Sequence, residues 1–256
     1  MSIKFLTEPA LLLENKILVI SDLHIGIEYE ILQSGITIPS QVERLEKRID
    51  DLIKQTKAKH LVILGDVKHQ VPTISWQEYK EIPKFLDHFN IKISIIKGNH
   101  DGNIERLAGK NIDIYEPQGF KIKNFLLTHG QAWPYIGDLD AEYLIMGHVH
   151  PIVEFFTENF RSTEPCWLKC EIDNKKLLEK FKIKTKIKQG IVMPAFNHLI
   201  GGMAFNSKNF EPLGPLLKNE VLRWKEAEVY LLDGTFLGSL NKLKNDIKEH
   251  MKMNIL

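Results

Sequence analysis

Five short segments in the first 150 residues combine histidine, aspartate and asparagine in patterns that suit metal binding. Six of the ten histidines lie in these segments, and none of the segments contains cysteine. A mixed set of oxygen and imidazole ligands suits manganese, iron or zinc better than calcium, and the lack of thiolates argues against a structural zinc site. The segments are Ser21–His24, Gly65–His69, Gly98–Asp101, Thr128–Gly130 and Gly147–His150.

The spacing within these segments predicts a pair of ions. Asp22 and His24 are two residues apart, as are His148 and His150, and on an extended backbone such residues point the same way and can reach one ion. Asp66 falls between the two pairs and is suited to bridge two ions about 3.5–4 Å apart. Such a pair can clamp the attacking and leaving oxygens of a displacement at phosphorus, so the pattern predicts two-metal phosphoester chemistry.

Each segment alone is weak support for this interpretation. Asp-x-His occurs by chance, Gly-Asn-His is often a turn, and a single His129 would more often be an ordinary polar core residue. The joint occurrence is more specific, because five segments follow apolar runs at spacings that fit supersecondary units.

The elements before residue 100 would bring the segments together. We expect a hairpin over 11–13 and 16–20, a helix with apolar residues between 42 and 53, a strand at 61–64, a helix from 76 to about 89 and a strand at 91–96. This alternation predicts parallel strands with right-handed crossovers, whose carboxyl ends gather ligands.

Details of the two helices also follow from the sequence. Ser40–Glu43 and Ser75–Glu78 have the residues of capping boxes. Pro83 should bend or restart the second helix, and Tyr79 is expected on its inward face.

Strands dominate beyond residue 110. They are expected at 120–128 as a hairpin, at 143–146, and near 152–156, 167–172, 181–187, 191–193, 229–232 and 236–237. Leu240, Leu243, Ile247 and Met251 predict a closing amphipathic helix. No repeat or linker divides the chain, so we predict one domain over 1–256, with the motif-bearing part at 1–151 and a strand-rich completion at 152–256.

A lysine-rich segment is the one marked charge bias. Lysine alternates with other residues at Lys182, Lys184, Lys186 and Lys188, so a strand there would show a lysine row on one face. That row is either a solvated strand face or protected edge, or a surface that tracks the phosphates of a nucleic acid.

Bulk composition narrows the class of protein. The 256 residues carry a net charge of +1, so any nucleic-acid surface must be local. Cys166 and Cys170 are interpreted as plain buried residues. No apolar run approaches the roughly 20 residues of a membrane span, and the amino terminus lacks a secretion signal, so we expect a cytoplasmic protein without a membrane partner.

The five segments resemble the motifs of the calcineurin-like metallophosphoesterase superfamily, over about the first 60% of the chain. The resemblance implies a four-layer αββα sandwich and two divalent ions, with manganese favoured and iron, zinc or nickel as alternatives. It implies that Asp22, His24 and His150 hold one metal, that Asn99, His129 and His148 hold the other, and that Asp66 bridges both. His100 would sit beside the substrate phosphate and stabilise the transition state or protonate the leaving oxygen.

Three further features resemble one branch of that superfamily, the archaeal SbcD-related and helicase-associated phosphoesterases. One is the run Ser21–Glu30 with Gly35 and Ile38–Gln41 after it. Another is His69, which ends the second segment, whereas this segment reads Gly-Asp-x-x-Asp-Arg in phosphoprotein phosphatases; the resemblance gives His69 a catalytic role together with His100. The segment Met193–Gly202 resembles a late loop of this branch, and Asn197 and His198 in it are candidate substrate-binding residues, as are the four lysines. The alternative for this segment is a purely structural loop, and for His69 a hydrogen-bonding partner without a catalytic part.

Three functions remain open from the sequence. The first is a phosphodiesterase, namely a nuclease acting on DNA or RNA, for which the resemblance also suggests a helicase partner. The second is a small-molecule phosphatase or a nucleotide or cyclic nucleotide phosphodiesterase. The third, a scaffold without chemistry, is disfavoured because no ligand position is missing.

Overall fold

The computed structural model describes residues 2–156 and 160–243. Its strands are β1 (Ile3–Phe5), β2 (Leu11–Leu13), β3 (Ile17–Ile20), β4 (His60–Ile63), β5 (Lys92–Ile96), β6 (Ile112–Tyr115), β7 (Phe120–Ile122), β8 (Phe125–Thr128), β9 (Tyr143–Met146), β10 (Pro151–Phe156), β11 (Arg161–Glu171), β12 (Gln189–Val192), β13 (Met203–Ala204), β14 (Glu228–Leu231) and β15 (Phe236–Ser239). Its α-helices are α1 (Ile27–Gln33), α2 (Val42–Thr56), α3 (Trp76–His88), α4 (Asn174–Phe181) and α5 (Gly214–Lys218).

The first sheet contains β1 to β6 in the order of the chain. The first three strands are joined as antiparallel hairpins, whereas β3, β4, β5 and β6 run parallel. Helix α2 connects β3 to β4, and α3 connects β4 to β5. These are the strand–helix–strand units that the sequence predicts, and all four residues of β3 are buried, as expected for a parallel strand covered on both faces.

The second sheet has the order β13-β10-β11-β12-β9-β8-β7, and β14 joins it beside β11 with β15 at its outer side. Within it β8, β9 and β12 are parallel neighbours. Their carboxyl ends therefore meet at one edge of this sheet, as those of β3, β4 and β5 do in the first sheet.

Three apolar clusters show how the layers stack. One lies between the first sheet and helices α2 and α3, with Leu45, Ile49, Ile82 and Phe85 facing the strands. The second joins inward residues of both sheets, and the third lies between the second sheet and helices α4 and α5. The order helix, sheet, sheet, helix confirms the predicted αββα class.

Only one of the two predicted capping boxes forms. Ser75 and Glu78 make the reciprocal bonds of a capping box at α3, whereas α2 begins after Gln41 without a side-chain cap. The Ser40 hydroxyl donates instead to Glu81 Oε2 at 3.1 Å.

Helix α3 also differs from the prediction in two respects. It continues through Pro83 as one helix. Tyr79, expected to face inward, is 65% exposed, because the fully buried Glu78 occupies the inward position at that turn.

The expected lysine strand over 181–187 is wrong. Asp173 caps α4 by accepting from two backbone N–H groups, and Lys182 ends the helix in the left-handed conformation with φ 61°. Residues 182–188 form no strand, so their lysines do not form a row. They lead into the amino end of β12, and Lys188 pairs with Glu142 beside the amino end of β9, whereas the polar segments follow carboxyl ends.

The end of the chain is described only in part. Residues 240–243 are helical, while Ile247 and Met251 of the expected closing helix lie outside the described residues. In the described ranges, no helix has the length and apolar character needed to cross a membrane.

Burial of the two thiols generates a first prediction. Cys166 and Cys170 are free and buried, as expected, and burial raises the pKa of both, that of Cys170 to about 12. Because the thiolate is the nucleophile, and a pKa near 12 leaves about one thiol in 10⁴ ionised at pH 8, Ellman's reagent should not label the native protein. Absorbance at 412 nm should report two thiols after denaturation in urea, and fast labelling of the native fold would contradict this packing.

Candidate metal centre

The polar segments meet at the carboxyl edge shared by the two sheets. The first three follow β3, β4 and β5, and the last two follow β8 and β9. A sixth segment, residues 193–202, follows β12 and contacts the first: the Phe196 N–H donates to the Ser21 carbonyl at 2.8 Å. Residues far apart in the chain thus line one site: the His148 N–H donates to Asp22, 126 positions away, at 3.2 Å.

The backbone of the site is strained. Five non-glycine residues of the predicted ligand set have positive φ: Asp22 (59°), His24 (43°), Asp66 (51°), His148 (74°) and His150 (40°). Non-glycine residues rarely adopt this region, and each costs of order 1 kcal/mol or more. The expectation of extended backbone is therefore wrong, because tight left-handed turns aim these side chains. Asp22 and His24 nevertheless belong to one ligand group, as expected, whereas His148 and His150 belong to different groups.

Backbone hydrogen bonds hold those turns. The Asp22 N–H donates to the Gly65 carbonyl at 3.1 Å, and the His24 N–H donates to the Asp66 carbonyl at 2.8 Å. The loops after β3 and β4 thus continue side by side beyond the sheet, and the surrounding ladder compensates the strain.

Two glycines allow the loops to approach this closely. A Cβ on Gly98 would lie 2.1 Å from Asp66 Oδ1, and a Cβ on Gly147 would lie 1.7 Å from Ser21 Oγ. Both distances are far below contact, so a side chain at either position would displace a carboxylate of the site or the hydroxyl that supports it.

The first ligand group contains Asp22, His24, Asp66 and His150, with one donor atom from each within 4.8 Å of the others. His150 Nε2 lies 3.2 Å from Asp22 Oδ1, and His24 Nε2 lies 3.5 Å from Asp66 Oδ2. Neither imidazole nitrogen has a hydrogen-bond partner although both are buried.

The second ligand group contains Asp66, His129 and His148, with Asn99 beside them. Three acceptor atoms surround His129 Nε2: Asp66 Oδ2 at 3.3 Å, Asn99 Oδ1 at 3.3 Å and His148 Nδ1 at 3.2 Å. The predicted sets thus assemble around the shared Asp66.

The protons on Nδ1 of His129 and His150 favour metal binding through Nε2 of the same rings. His129 Nδ1 lies 2.5 Å from the Leu64 carbonyl, and His150 Nδ1 lies 3.1 Å from the Gly201 carbonyl. Because a carbonyl only accepts, both Nδ1 atoms carry a proton. In the neutral form of each ring, the Nε2 lone pair then faces the carboxylates. Such support is typical of metal-binding histidines, and orphaned nitrogens beside buried carboxylates fit a divalent cation.

Electrostatics agree with this donor set. Burial alone would raise the pKa of Asp66, but the adjacent His129 holds it well below its usual range. Burial lowers the pKa of His24 to about 3, and burial together with His129 lowers that of His148 to about 4. Burial opposes protonation of His129, yet Asp66 and Asp22 raise its pKa to about 9. Ionised carboxylates and neutral imidazoles are the forms that bind metals, so Asp66, His24 and His148 are in the binding form, whereas His129 would release a proton when a cation binds.

His100 and His69 lie beside the first ligand group. The ring centroids of His100 and His24 are 4.7 Å apart, and His100 stacks on His69 at 5.6 Å. His100 Nδ1 lies 2.5 Å from the His69 carbonyl, so that nitrogen carries the proton. His69 uses both ring nitrogens within the protein: Nδ1 lies 3.2 Å from His24 Nδ1, and Nε2 lies 2.6 Å from Glu30 Oε2.

The side chains of the candidate substrate-binding residues make their contacts outside the two ligand groups. Asn197 is buried, donates to the Leu23 carbonyl and accepts from the Leu199 N–H, so it fixes the late loop against the first segment. His198 Nε2 lies 2.9 Å from Arg48 Nη2, and Arg48 also donates to the Phe196 carbonyl. The four lysines, as described above, lie towards the opposite edge of the second sheet.

Several residues of the site were not predicted as such. Ser21 donates to Asp22 Oδ2 at 2.5 Å. Asp101, fully buried, accepts from the backbone N–H groups of Val67, Lys68 and Gly98. Their places inside the motifs were a signal that could have identified both.

Glu78 is the least expected of these supports. Its buried carboxylate accepts from the N–H groups of His69, Gln70 and Ser75, so it folds the loop that carries His69. The capping-box pattern identified Glu78 as a cap, and nothing in the sequence linked it to the site.

Comparison with known proteins agrees with this geometry. Residues 15–139 match the family model described as calcineurin-like phosphoesterase. This stretch is just under half of the chain and contains the first four segments, whereas His148 and His150 lie beyond it. No curated protein shows significant similarity to the chain.

The chain is similar to several solved structures. A nuclease MPE from Pseudomonas putida is 22% identical, with a TM-score of 0.57, and the alignment covers 92% of this chain and 94% of that one. A phosphoesterase from E. coli, Yfce, is 18% identical over 87% and 96% of the chains, with a TM-score of 0.40. A predicted phosphoesterase from Streptococcus pneumoniae is 13% identical over 86% and 91%, with a TM-score of 0.30.

The contact at Gly98 generates a second prediction. Gly98→Ala should weaken manganese binding about 10–100-fold, the range found when groups that orient metal ligands are lost, because the new methyl group displaces Asp66. Isothermal titration calorimetry measures the affinity, and thermal unfolding verifies the fold. Gly102→Ala is the matched control, since a Cβ there has no neighbour within 4 Å. Wild-type affinity in folded Gly98→Ala would contradict the role of this close approach.

Proposed function

We propose that this protein is a dinuclear metal-dependent phosphodiesterase that acts on nucleic acid. The observation that carries the proposal is the pair of ligand groups that share Asp66, the first of which contains two buried ring nitrogens without hydrogen-bond partners. Asp22, His24 and His150 would hold one ion, Asn99, His129 and His148 the other, and Asp66 both. Two such ions supply the activation of water and the charge stabilisation that displacement at phosphorus needs.

His100 is the residue proposed to act on the substrate. Its Nδ1–H is fixed by the His69 carbonyl, and its ring packs against the ring of the ligand His24. This arrangement leaves Nε2 towards the substrate, and in the imidazolium form its N–H can donate to a phosphoryl oxygen or protonate the leaving oxygen. A positioned acid of this kind contributes typically 10²–10⁴-fold to the rate.

The choice of nucleic acid as substrate rests on two supports. The second segment ends in His69, whereas it reads Gly-Asp-x-x-Asp-Arg in phosphoprotein phosphatases, and the fold extends over nearly the whole length of a bacterial nuclease. We include in this proposal manganese as the working metal, membership of the SbcD-related branch and association with a helicase. The lysines of 182–188 do not support this proposal, because they do not form the strand face that the sequence predicts.

Loss of the bridging carboxylate should abolish activity. Asp66→Asn should lower manganese-dependent hydrolysis of bis-p-nitrophenyl phosphate and of labelled DNA and RNA by at least about 10²-fold, since the neutral amide is a poor bridge between two cations. Asp51→Asn, at an exposed position of α2, controls for the loss of a carboxylate. Hydrolysis of p-nitrophenyl phosphate without cleavage of diesters or nucleic acid would instead establish the small-molecule phosphatase.

Loss of His100 should separate binding from turnover. We expect His100→Ala to bind manganese nearly as the wild type does while kcat for the diester falls about 10²–10⁴-fold. His88→Ala is the control, because His88 forms a surface ion pair with Asp50. Full activity of His100→Ala would show that the assigned role is wrong.

A further inference from the structure

A chain of hydrogen-bonding groups leads from the first ligand group to the protein surface. It consists of His24, His69 and Glu30, and it joins loops after β3 and β4 to helix α1. His24 Nδ1 and His69 Nδ1 are 3.2 Å apart, and His69 Nε2 lies 2.6 Å from Glu30 Oε2. The side chain of Glu30 is 70% exposed, whereas that of His69 is 13% exposed.

The protons in this chain follow from its two ends. The Glu30 carboxylate only accepts, so His69 Nε2 carries a proton. A neutral His69 then has a lone pair on Nδ1, and that lone pair requires a proton on His24 Nδ1. His24 Nε2 is left with a lone pair, and this is the buried nitrogen without a partner that faces Asp66.

We infer that Glu30 and His69 act as a positioning pair that selects the metal-binding tautomer of His24. The inference rests on the proposed metal centre, and it does not depend on the substrate. It gives His69 a part different from direct catalysis, because both its ring nitrogens are used within the protein. His24 differs in this from His129 and His150, whose tautomers are set by backbone carbonyls.

The loop geometry supports this assignment. Glu78 accepts from the His69 N–H at 2.8 Å, and the His69 carbonyl lies 2.5 Å from His100 Nδ1. The backbone of His69 is therefore held independently of Glu30. A variant of Glu30 removes one acceptor at the surface and leaves the loop in place. Its effect can therefore be assigned to the hydrogen bonds that link Glu30, His69 and His24.

Variants at Glu30 test the inference without relying on turnover. Glu30→Ala should weaken metal binding about 10-fold, at the lower end of the range found when groups that orient metal ligands are lost. Glu30→Gln should restore near wild-type affinity, because the amide oxygen accepts from His69 Nε2 as the carboxylate does. Gln33→Ala, at an exposed position of the same helix, should have no effect.

The measurements are zinc and manganese affinity by calorimetry and the tautomer of His24 by ¹⁵N NMR of the metal-free protein; spectra of the zinc-loaded protein show which nitrogen binds the ion. We expect a protonated Nδ1 on His24 in the wild type and in Glu30→Gln, and exchange between tautomers in Glu30→Ala. Unchanged affinity and tautomer in Glu30→Ala would overturn the inference. So would Glu30→Gln behaving as Glu30→Ala, or a zinc ion bound between His24 and His69. Absence of diesterase activity would contradict the proposed function and would not affect this inference.

Discussion

The structure depends on one buried carboxylate, that of Asp66, held between imidazoles from both sheets. His24 follows the first sheet and His129 the second, and their Nε2 atoms lie 3.5 and 3.3 Å from the same oxygen, Oδ2. An ionised carboxylate is expensive to bury unless positive charge or hydrogen bonds compensate it. Here the compensation is the protonated His129 ring and the His100 N–H, and a pair of divalent cations would complete it. The two sheets must therefore end at one edge.

The other loops at this edge of the sheets support the Asp66 carboxylate, and their backbone is strained as a result. Five ligand residues occupy the left-handed region, and glycines at 98 and 147 let the loops come within contact of Asp66 and of the Ser21–Asp22 pair. Functional sites commonly store strain in this way when the surrounding structure determines it. The three apolar clusters supply that rigidity, because they bury the strands up to the residue at which each polar loop begins.

Much of this arrangement could be predicted from the sequence, because strong local patterns meet a simple topological rule. Apolar runs followed by Asp22, Asp66 or Asn99 identified strand ends, and parallel strands bring such ends together. The conformations that aim the ligands could not be read from spacing. Asp-x-His suggested extended backbone, while the structure uses left-handed turns that depend on hydrogen bonds to a neighbouring loop.

Other errors have equally physical causes. Alternating lysines over 182–188 fit a strand by pattern, but lysine is also a good helix residue, and the cap at Asp173 starts a helix just before them. Glu78 at an inward position of α3 displaced Tyr79 because three backbone N–H groups 3–9 residues upstream needed an acceptor. Glu30 lies in the run Ser21–Glu30 that resembles one branch, but no pattern identified its role, since this role depends on a contact 39 residues away in the sequence.

The central claim is that two cations bind on either side of Asp66. Anomalous diffraction from crystals grown with manganese tests this claim most directly. The account predicts two peaks per chain, about 3.5–4 Å apart, one bounded by His24 and His150 and the other by His129 and His148. A single peak, or manganese bound away from Asp66, would contradict it.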